Sequence, residues 1–257
     1  MNIVVYIKQT FDTEAKIVLD ANGKIDANGV NLIINPYDEF AIEEGIRLKE
    51  KLGGEVTVVT LGGARAQEAV RTALAMGVDK GVVVTDPVLE TSDEWANAEI
   101  LAKAVAQIPY DIIIAGRIAI DDGASQIAVR LAEALNIPSV SSVLKLDASG
   151  TQVVATREID GGTELIEVAL PAVVTAQKGL NEPRYPSVAG IMKAKKKPLK
   201  TLTLADLGLT AGDLAPKMTV EKYTLPNARQ GGRKIPGDAA QAAQELAKLL
   251  HEEAKVL

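Results

Sequence analysis

The sequence predicts an α/β fold: an open, mostly parallel, Rossmann-like sheet with an antiparallel extension and an extended C-terminal arm. Three observations carry this. Up to Pro138, short apolar runs alternate with helix-period segments of ten or more residues, the signature of βαβ units. Ile112-Ile113-Ile114 is continuously apolar, as in a strand buried on both faces. Past Pro138 the pattern changes to strand-like stretches separated by glycine turns, and past Pro198 to a proline-punctuated stretch without period.

Taken in order, residues 3–7 form a buried strand. Residues 17–19 and 24–25 flank Asn22-Gly23, a dipeptide that favours a hairpin turn. Asn35-Pro36 opens a helix, with Asn35 as its cap, Pro36 in its first turn, and Asp38 and Glu39 near its positive end. Ala41, Ile42, Gly45, Ile46 and Leu52 recur at helical spacing, and Gly53-Gly54 stops the helix. A strand at 56–60, a helix at 66–76 ending at Gly77, a strand at 81–84, a helix at 93–107, a strand at 111–115 and a helix at 123–135 follow. Strands at 140–146, 152–158 and 164–170 turn at Ser149-Gly150 and Gly161-Gly162. Pro171 breaks this run, and 172–175 returns a strand to the main sheet. A polar turn at 181–186 leads to a basic helix at 188–197.

From Pro198 to Gly237 the chain shows little core pattern, and Pro198, Pro216, Pro226, Pro236 and Gly231-Gly232 punctuate it. So long a segment without period suits an arm laid across a partner. Residues 238–255 close the chain as a helix with Ala239, Ala242, Leu246, Leu249 and Leu250 on one side. The expected division is an α/β domain over 1–197 and an arm with its helix over 198–257.

Composition narrows the chemistry. Apolar residues make up 47% of the 257, so the chain is globular. Aromatics are 3% and the net charge is −6, which argues against a nucleic-acid surface, stacked or electrostatic. The one basic run is 193–200. With no cysteine there are no disulfides, iron–sulfur clusters, zinc–thiolate sites or thiol nucleophiles. The single histidine, His251, lies in a charged amphipathic segment and reads as a surface residue. No apolar run is long enough to span a bilayer and no signal peptide pattern precedes the first strand. The expectation is a soluble protein of a bacterial cytoplasm, in preference to a mitochondrial matrix.

In an open α/β sheet, ligands sit beyond the carboxyl ends of the strands. Loops 8–13, 61–64, 85–91 and 117–125 occupy such ends. The most informative runs from Gly116 to Gln126, where a buried strand leads into Arg117, two aspartates and then small residues. Small residues let backbone N–H groups approach an anion, and a helix N-terminus adds about half a positive charge. Gly123, Ala124, Ser125 and Gln126 thus form a candidate phosphate cradle; the alternative is that Asp122 or Ser125 only caps the helix. Asp121-Asp122 lacks a third hard ligand nearby for a metal. There is no G-x-G-x-x-G after the first strand and no G-x-x-x-x-G-K-[ST]. Leu61-Gly62-Gly63-Ala64 is a weak glycine signal. Pattern alone therefore reaches a nucleotide-binding α/β protein, poor in catalytic residues, with a partner-seeking arm.

The segment Leu180-Asn181-Glu182-Pro183-Arg184-Tyr185, followed by Ile191-Met192-Lys193-Ala194-Lys195-Lys196-Lys197, resembles the signature region of electron-transfer flavoprotein beta subunits. Asn35-Pro36-Tyr37-Asp38, Arg71–Gly77, Ala119–Asp122 and Arg157–Gly162 match the family in the same order. The likeness is good over about residues 1–200 and loose in the arm.

The resemblance implies an adenine-nucleotide-binding α/β fold docked on an alpha subunit. FAD would be held mainly by alpha and walled on one side by this chain, which would also bind AMP structurally. The AMP phosphate would lie at Gly123, Ala124, Ser125, Gln126 and Ile127, and the adenosine end at Tyr6, Lys8, Asn35, Leu61 and Asp121. Tyr6 departs from the smaller residue common in the family. Thr13 and Tyr37 would face the flavin. Loop 177–188 would recognise partner dehydrogenases, with an exposed Leu180 as anchor among Asn181, Glu182, Arg184 and Tyr185. Glu164 would steady the mobile flavin domain.

The implied role is electron transfer without bond-making catalysis by this chain: from acyl-CoA or related flavin dehydrogenases, through FAD, to a membrane quinone oxidoreductase. A second branch of the family bifurcates electrons with another FAD in place of AMP. Those chains carry V-P-D-T after the first strand and A-D-T-x-A-T near Ser92. Here the two read Thr10-Phe11-Asp12-Thr13 and Thr91-Ser92-Asp93-Glu94-Trp95-Ala96, so AMP is the expectation. A further rival is a stand-alone adenine-nucleotide sensor.

Overall fold

The structure is a computed structural model that describes residues 1–229 and 231–257. The chain divides into two compact units. The larger comprises Met1–Ile17 and Asp26–Glu221. Its strands are β1 (Asn2–Tyr6), β2 (Gln9–Phe11), β3 (Leu32–Ile34), β4 (Glu55–Leu61), β5 (Lys80–Val84), β6 (Ile112–Gly116), β7 (Ser139–Ala148), β8 (Gln152–Ile159), β9 (Gly162–Ala169), β10 (Ala172–Ala176) and β11 (Leu199–Leu202). Its helices are α1 (Pro36–Leu52), α2 (Ala66–Met76), α3 (Glu94–Val105), α4 (Ile127–Leu135) and α5 (Val188–Ala194).

Nine strands form one sheet in the order β11-β5-β4-β1-β6-β10-β7-β8-β9. Pairing is parallel from β11 through β7 and antiparallel for β7–β8 and β8–β9. Alternation along the central strands explains their unbroken apolar runs. Ile3, Val5, Ile112 and Ile114 pack on the face that holds α1 and α2. Val4, Tyr6, Ile113 and Ala115 pack on the face that holds α3 and α4. Both faces are covered, so both sets of alternating positions along β1 and β6 carry apolar side chains.

Several expectations are corrected. The helix expected at 123–135 begins at Ile127, because Gly123 and Ser125 adopt positive φ (64° and 54°) that no helix accommodates. Asn35 does not cap α1 with its side chain. Residues 9–11 and 32–34, unassigned from the sequence, pair as a small antiparallel sheet; three-residue strands leave too few alternations to be read. Residues 198–214 are not coreless. There β11 adds an edge to the sheet beside β5, and Leu202, Leu204, Leu207 and Leu214 are buried. Short 3₁₀ turns at Ala205–Leu207 and Ala211–Leu214 carry these leucines without a helical period. The exposed arm therefore begins near residue 215.

The basic helix expected at 188–197 is also shorter, ending at Ala194. The smaller unit comprises Val18–Ile25 and Lys222–Leu257. In it the Asn22-Gly23 hairpin reduces to one bridge, Leu19 to Ile25, with Asp20 accepting from the Asn22 and Lys24 amides. Helix α6 (Ala239–Glu252) is capped by Asp238 in a capping box with Gln241. None of its residues is buried, its apolar stripe included. Among the described residues, no helix is long and apolar enough to cross a membrane.

Candidate functional site

The chain runs from β1 outward to β4 and β5, then returns to place β6 on the other side of β1. The carboxyl ends of β1 and β6 therefore form the topological switch point, where a crevice opens in such sheets. Lys8 follows β1 there, and loop 117–126 follows β6. Lys8 Nζ lies 2.8 Å from Asp121 Oδ1 and 2.7 Å from Asp122 Oδ2. Burial alone would lower the Lys8 pKa, but the two carboxylates outweigh it and raise the value. Tyr6, buried beneath them, has its phenol pushed up by burial and then by the charges of Asp38, Asp122 and Asp121. Leu61 ends β4, half-buried, beside the crevice.

The first turn of α1 holds this arrangement together. Asn35 is 1% exposed. Its Nδ2 donates to the Ile118 carbonyl at 2.9 Å and its Oδ1 accepts from the Ile120 amide at 3.2 Å. It thus braces the loop instead of capping its own helix. Asp38, 3% exposed, accepts from the Lys8 amide at 2.7 Å and from the Gly116 amide at 2.9 Å. Burial pushes its carboxyl up to about 7, while those amides, Asn35 and the Lys8 charge pull it down. Gly116 must lack a side chain, since a Cβ would stand 2.2 Å from Asp38 Oδ1. The sequence reading gave Asp38 only a helix-start role; the Gly at the end of a buried strand was the signal that another group comes close.

The loop then delivers an uncapped helix start. Asp121 accepts from the Asp122 amide and Asp122 from the Ala124 amide, both at 2.9 Å, so the two aspartates shape the turn. Neither Asp122 nor Ser125 caps α4. Gln126 stands at the cap position, but its side chain accepts from the Arg130 guanidinium at 2.9 and 2.7 Å. No acid lies in the first turn of α4. Beside it a cleft of about 220 Å³ is lined by Arg117, Ser125, Val129, Ser141, Ser142 and Thr175. A bare helix start, a guanidinium and four hydroxyls form a donor set suited to an anion.

The other candidates lie elsewhere. Tyr37 is half-buried between Asn35 and Asp38 in α1, and Thr13 is exposed just past β2. Glu164 is exposed on β9, opposite Arg157 of β8 at 3.8 Å.

The expectation of an exposed Leu180 is corrected: the residue is half-buried and packs against the core. Polar neighbours draw it in. Asn181, buried, donates to the Phe40 carbonyl at 3.0 Å and to Glu44 at 2.9 Å. Arg184 forks onto Glu43 (2.8 and 3.0 Å) and Glu50 (2.7 and 3.1 Å) of α1. Burial would raise the Glu43 pKa, but Arg184 and Arg47 lower it. Glu182 is exposed. The large apolar groups that residues 177–197 leave in solvent are Tyr185 (94% exposed), Val188 (81%), Ile191 and Met192. Val188 opens the helix where the sequence places its start, and Ser187 caps it.

Residues 22–207 match a family model described as Electron transfer flavoprotein domain. The whole chain is 49% identical to the electron transfer flavoprotein subunit beta of Bacillus subtilis, over the whole of that protein. It is 45% identical to that of Syntrophomonas wolfei, over all of this chain and 98% of the other. Against that of Homo sapiens the identity is 39%, over 91% of this chain and 92% of the other.

Proposed function

The chain belongs to the electron transfer flavoprotein family as a beta subunit, an electron-carrier subunit that partners an alpha subunit, and from that premise we propose that it binds AMP structurally and walls one side of an FAD held by alpha. The observation that carries the AMP reading is the bare start of α4 at the switch point. The phosphate lies against Gly123, Ala124, Ser125, Gln126 and Ile127, with Arg117 and the neighbouring hydroxyls completing the anion site. Tyr6, Lys8, Leu61 and Asp121 flank the adenosine end, Asp121 being of the type that accepts from ribose hydroxyls. Asn35 acts by holding the loop.

FAD, when bound, supplies the redox chemistry; the protein supplies position and electrostatics. Tyr37 and Thr13 shield one side of it from water. Glu164, beside Arg157, offers a charge to the flavin-bearing part of the alpha subunit. The exposed stretch from residue 215 and the uncovered stripe of α6 pack on alpha.

Docking falls to Tyr185 and Val188, presented by a loop that Asn181 and Arg184 fasten to α1. The electron donors are acyl-CoA or related flavin dehydrogenases of fatty-acid oxidation in a bacterial cytoplasm, and the acceptor is a membrane quinone oxidoreductase. Against a second FAD stand the departures from the bifurcating motifs at Thr10-Phe11-Asp12-Thr13 and, around Asp93, at Ser92, Glu94 and Asn97.

The test is flavin reduction in the alpha–beta complex by an acyl-CoA dehydrogenase and its substrate. Val188→Asp is expected to slow reduction about tenfold with flavin content unchanged, the loss of roughly one buried apolar contact. An unaltered rate would refute docking at this loop.

A further inference from the structure

Asn35, Tyr37 and Asp38 are near neighbours in the first turn of α1, yet they serve different surfaces. Asn35 holds both the Ile118 carbonyl and the Ile120 amide, so the backbone of loop 117–122 hangs on it. Its own amide donates to the Lys8 carbonyl at 2.9 Å. Asp38 binds the Lys8 and Gly116 amides and so spans the ends of β1 and β6. The Asn35 carbonyl accepts from the Asp38 amide at 2.8 Å, which closes the turn. The backbone of Tyr37 lies within this turn. The turn also comes close to Gly116, where a Cβ would stand 2.2 Å from Asp38 Oδ1 and 2.8 Å from the Tyr37 backbone carbon. A displacement of loop 117–122 is thus transmitted to the backbone at Tyr37 through part-buried hydrogen bonds and the close backbone approach at Gly116.

We propose that this turn couples the nucleotide site to the flavin wall, with Asn35 and Asp38 as its positioning residues. Nucleotide bound at loop 117–127 fixes the loop, the loop fixes the turn, and the turn sets Tyr37 against the flavin. The AMP is then a tuning ligand for the redox centre as well as a structural one. This rests on the reading above, that the loop carries AMP and Tyr37 faces FAD. Coupling of this kind is reciprocal, so a change at Tyr37 also alters AMP affinity.

The experiment uses the purified alpha–beta complex, prepared with AMP removed and with AMP restored. Flavin absorbance and midpoint potential report on Tyr37, and calorimetry reports AMP affinity. In the unmodified complex, AMP is expected to shift both flavin signals. Asn35→Ala is expected to bind AMP about tenfold more weakly, as fits the loss of part-buried hydrogen bonds. At saturating AMP its flavin is expected to stay at the nucleotide-free position. Asp38→Asn, which keeps the shape but turns a donor towards one of the two amides, is expected to behave likewise. If it fails to fold, the AMP titration of the unmodified complex still decides. The coupling is overturned, with the underlying reading intact, if AMP binds and Tyr37→Ala moves the flavin signals while AMP does not. It is equally overturned if Asn35→Ala keeps the full response. Absence of AMP binding, or silence of Tyr37→Ala, overturns the reading and the coupling together.

Discussion

Helices α3 and α4 both start at the carboxyl edge of the parallel sheet, yet their first turns are finished in opposite ways. The start of α3 is sealed. Asp93 caps it and also accepts from the Lys217 and Met218 amides, while Lys217 Nζ sits 4.3 Å over the Trp95 ring. The start of α4 is bare: its cap residue, Gln126, turns to Arg130, and no acid lies in its first turn. One helix start is thus sealed and the other left open, and the cap position differs in backbone as well as side chain, Asp93 being extended (ψ −179°) and Gln126 helical (ψ −35°). The same edge shows the pattern in its carboxyl groups. Asp93 is pushed up by burial but pulled below its ordinary value by the amides it accepts from. In Asp38 burial wins, and the value rises to about 7.

The sharpest way to break this comparison is at the crowded point between the two strand ends. Gly116→Ala forces a Cβ to within 2.2 Å of Asp38 Oδ1 and 2.8 Å of backbone. It is expected to destabilise the fold by about 3 kcal/mol or more, read by thermal or denaturant unfolding. Next is Asp93→Ala, which removes a helix cap and strands two further amides. About 2 kcal/mol of stability should be lost, with AMP content unchanged. A drop in AMP with no loss of stability would mean that α3, not α4, is the anion site. Gln126→Asp places a carboxylate at the start of α4, and its charge should weaken AMP retention about tenfold. Unchanged retention would place the phosphate elsewhere.

The smallest effect expected is in pH dependence, and its sign differs between the two aspartates. The Asp38 value is raised from 3.8, so its contribution to stability is full below pH about 4 and is lost as pH climbs through about 7. The Asp93 value is lowered, so its contribution is present above pH about 4 and is lost on acidification below that. The difference in melting temperature between the unmodified protein and Asp38→Asn should fall from pH 5 to pH 8. The difference from Asp93→Ala should fall instead as pH drops below 4.

Much of the fold was legible because the central strands and α2 obey simple periods. Ala66–Met76 lies where its apolar spacing puts it, and the alternating burial of Ile112, Ile113 and Ile114 follows from a sheet covered on both faces. What escaped was set by contacts distant in sequence. Asn35 reads as a cap and instead bonds Ile118 and Ile120, more than 80 residues away. Leu180 reads as an exposed anchor because its neighbours are polar; Asn181 and Arg184 are polar for the opposite reason, to fasten the loop to Glu43, Glu44 and Glu50. Leu202, Leu204, Leu207 and Leu214 lie in a stretch without period because a strand edge and two 3₁₀ turns impose none. The helix expected from Gly123 starts four residues later, at Ile127, because Gly123 and Ser125 turn left-handed first.

The measurement that bears most directly on the bare start of α4 is the nucleotide content of the alpha–beta complex. The purified complex is denatured and the released nucleotides are separated and quantified. The account predicts one FAD and one AMP per heterodimer, with AMP lost and FAD retained in Gln126→Asp. Two FADs and no AMP, or AMP unaffected by Gln126→Asp, would contradict it.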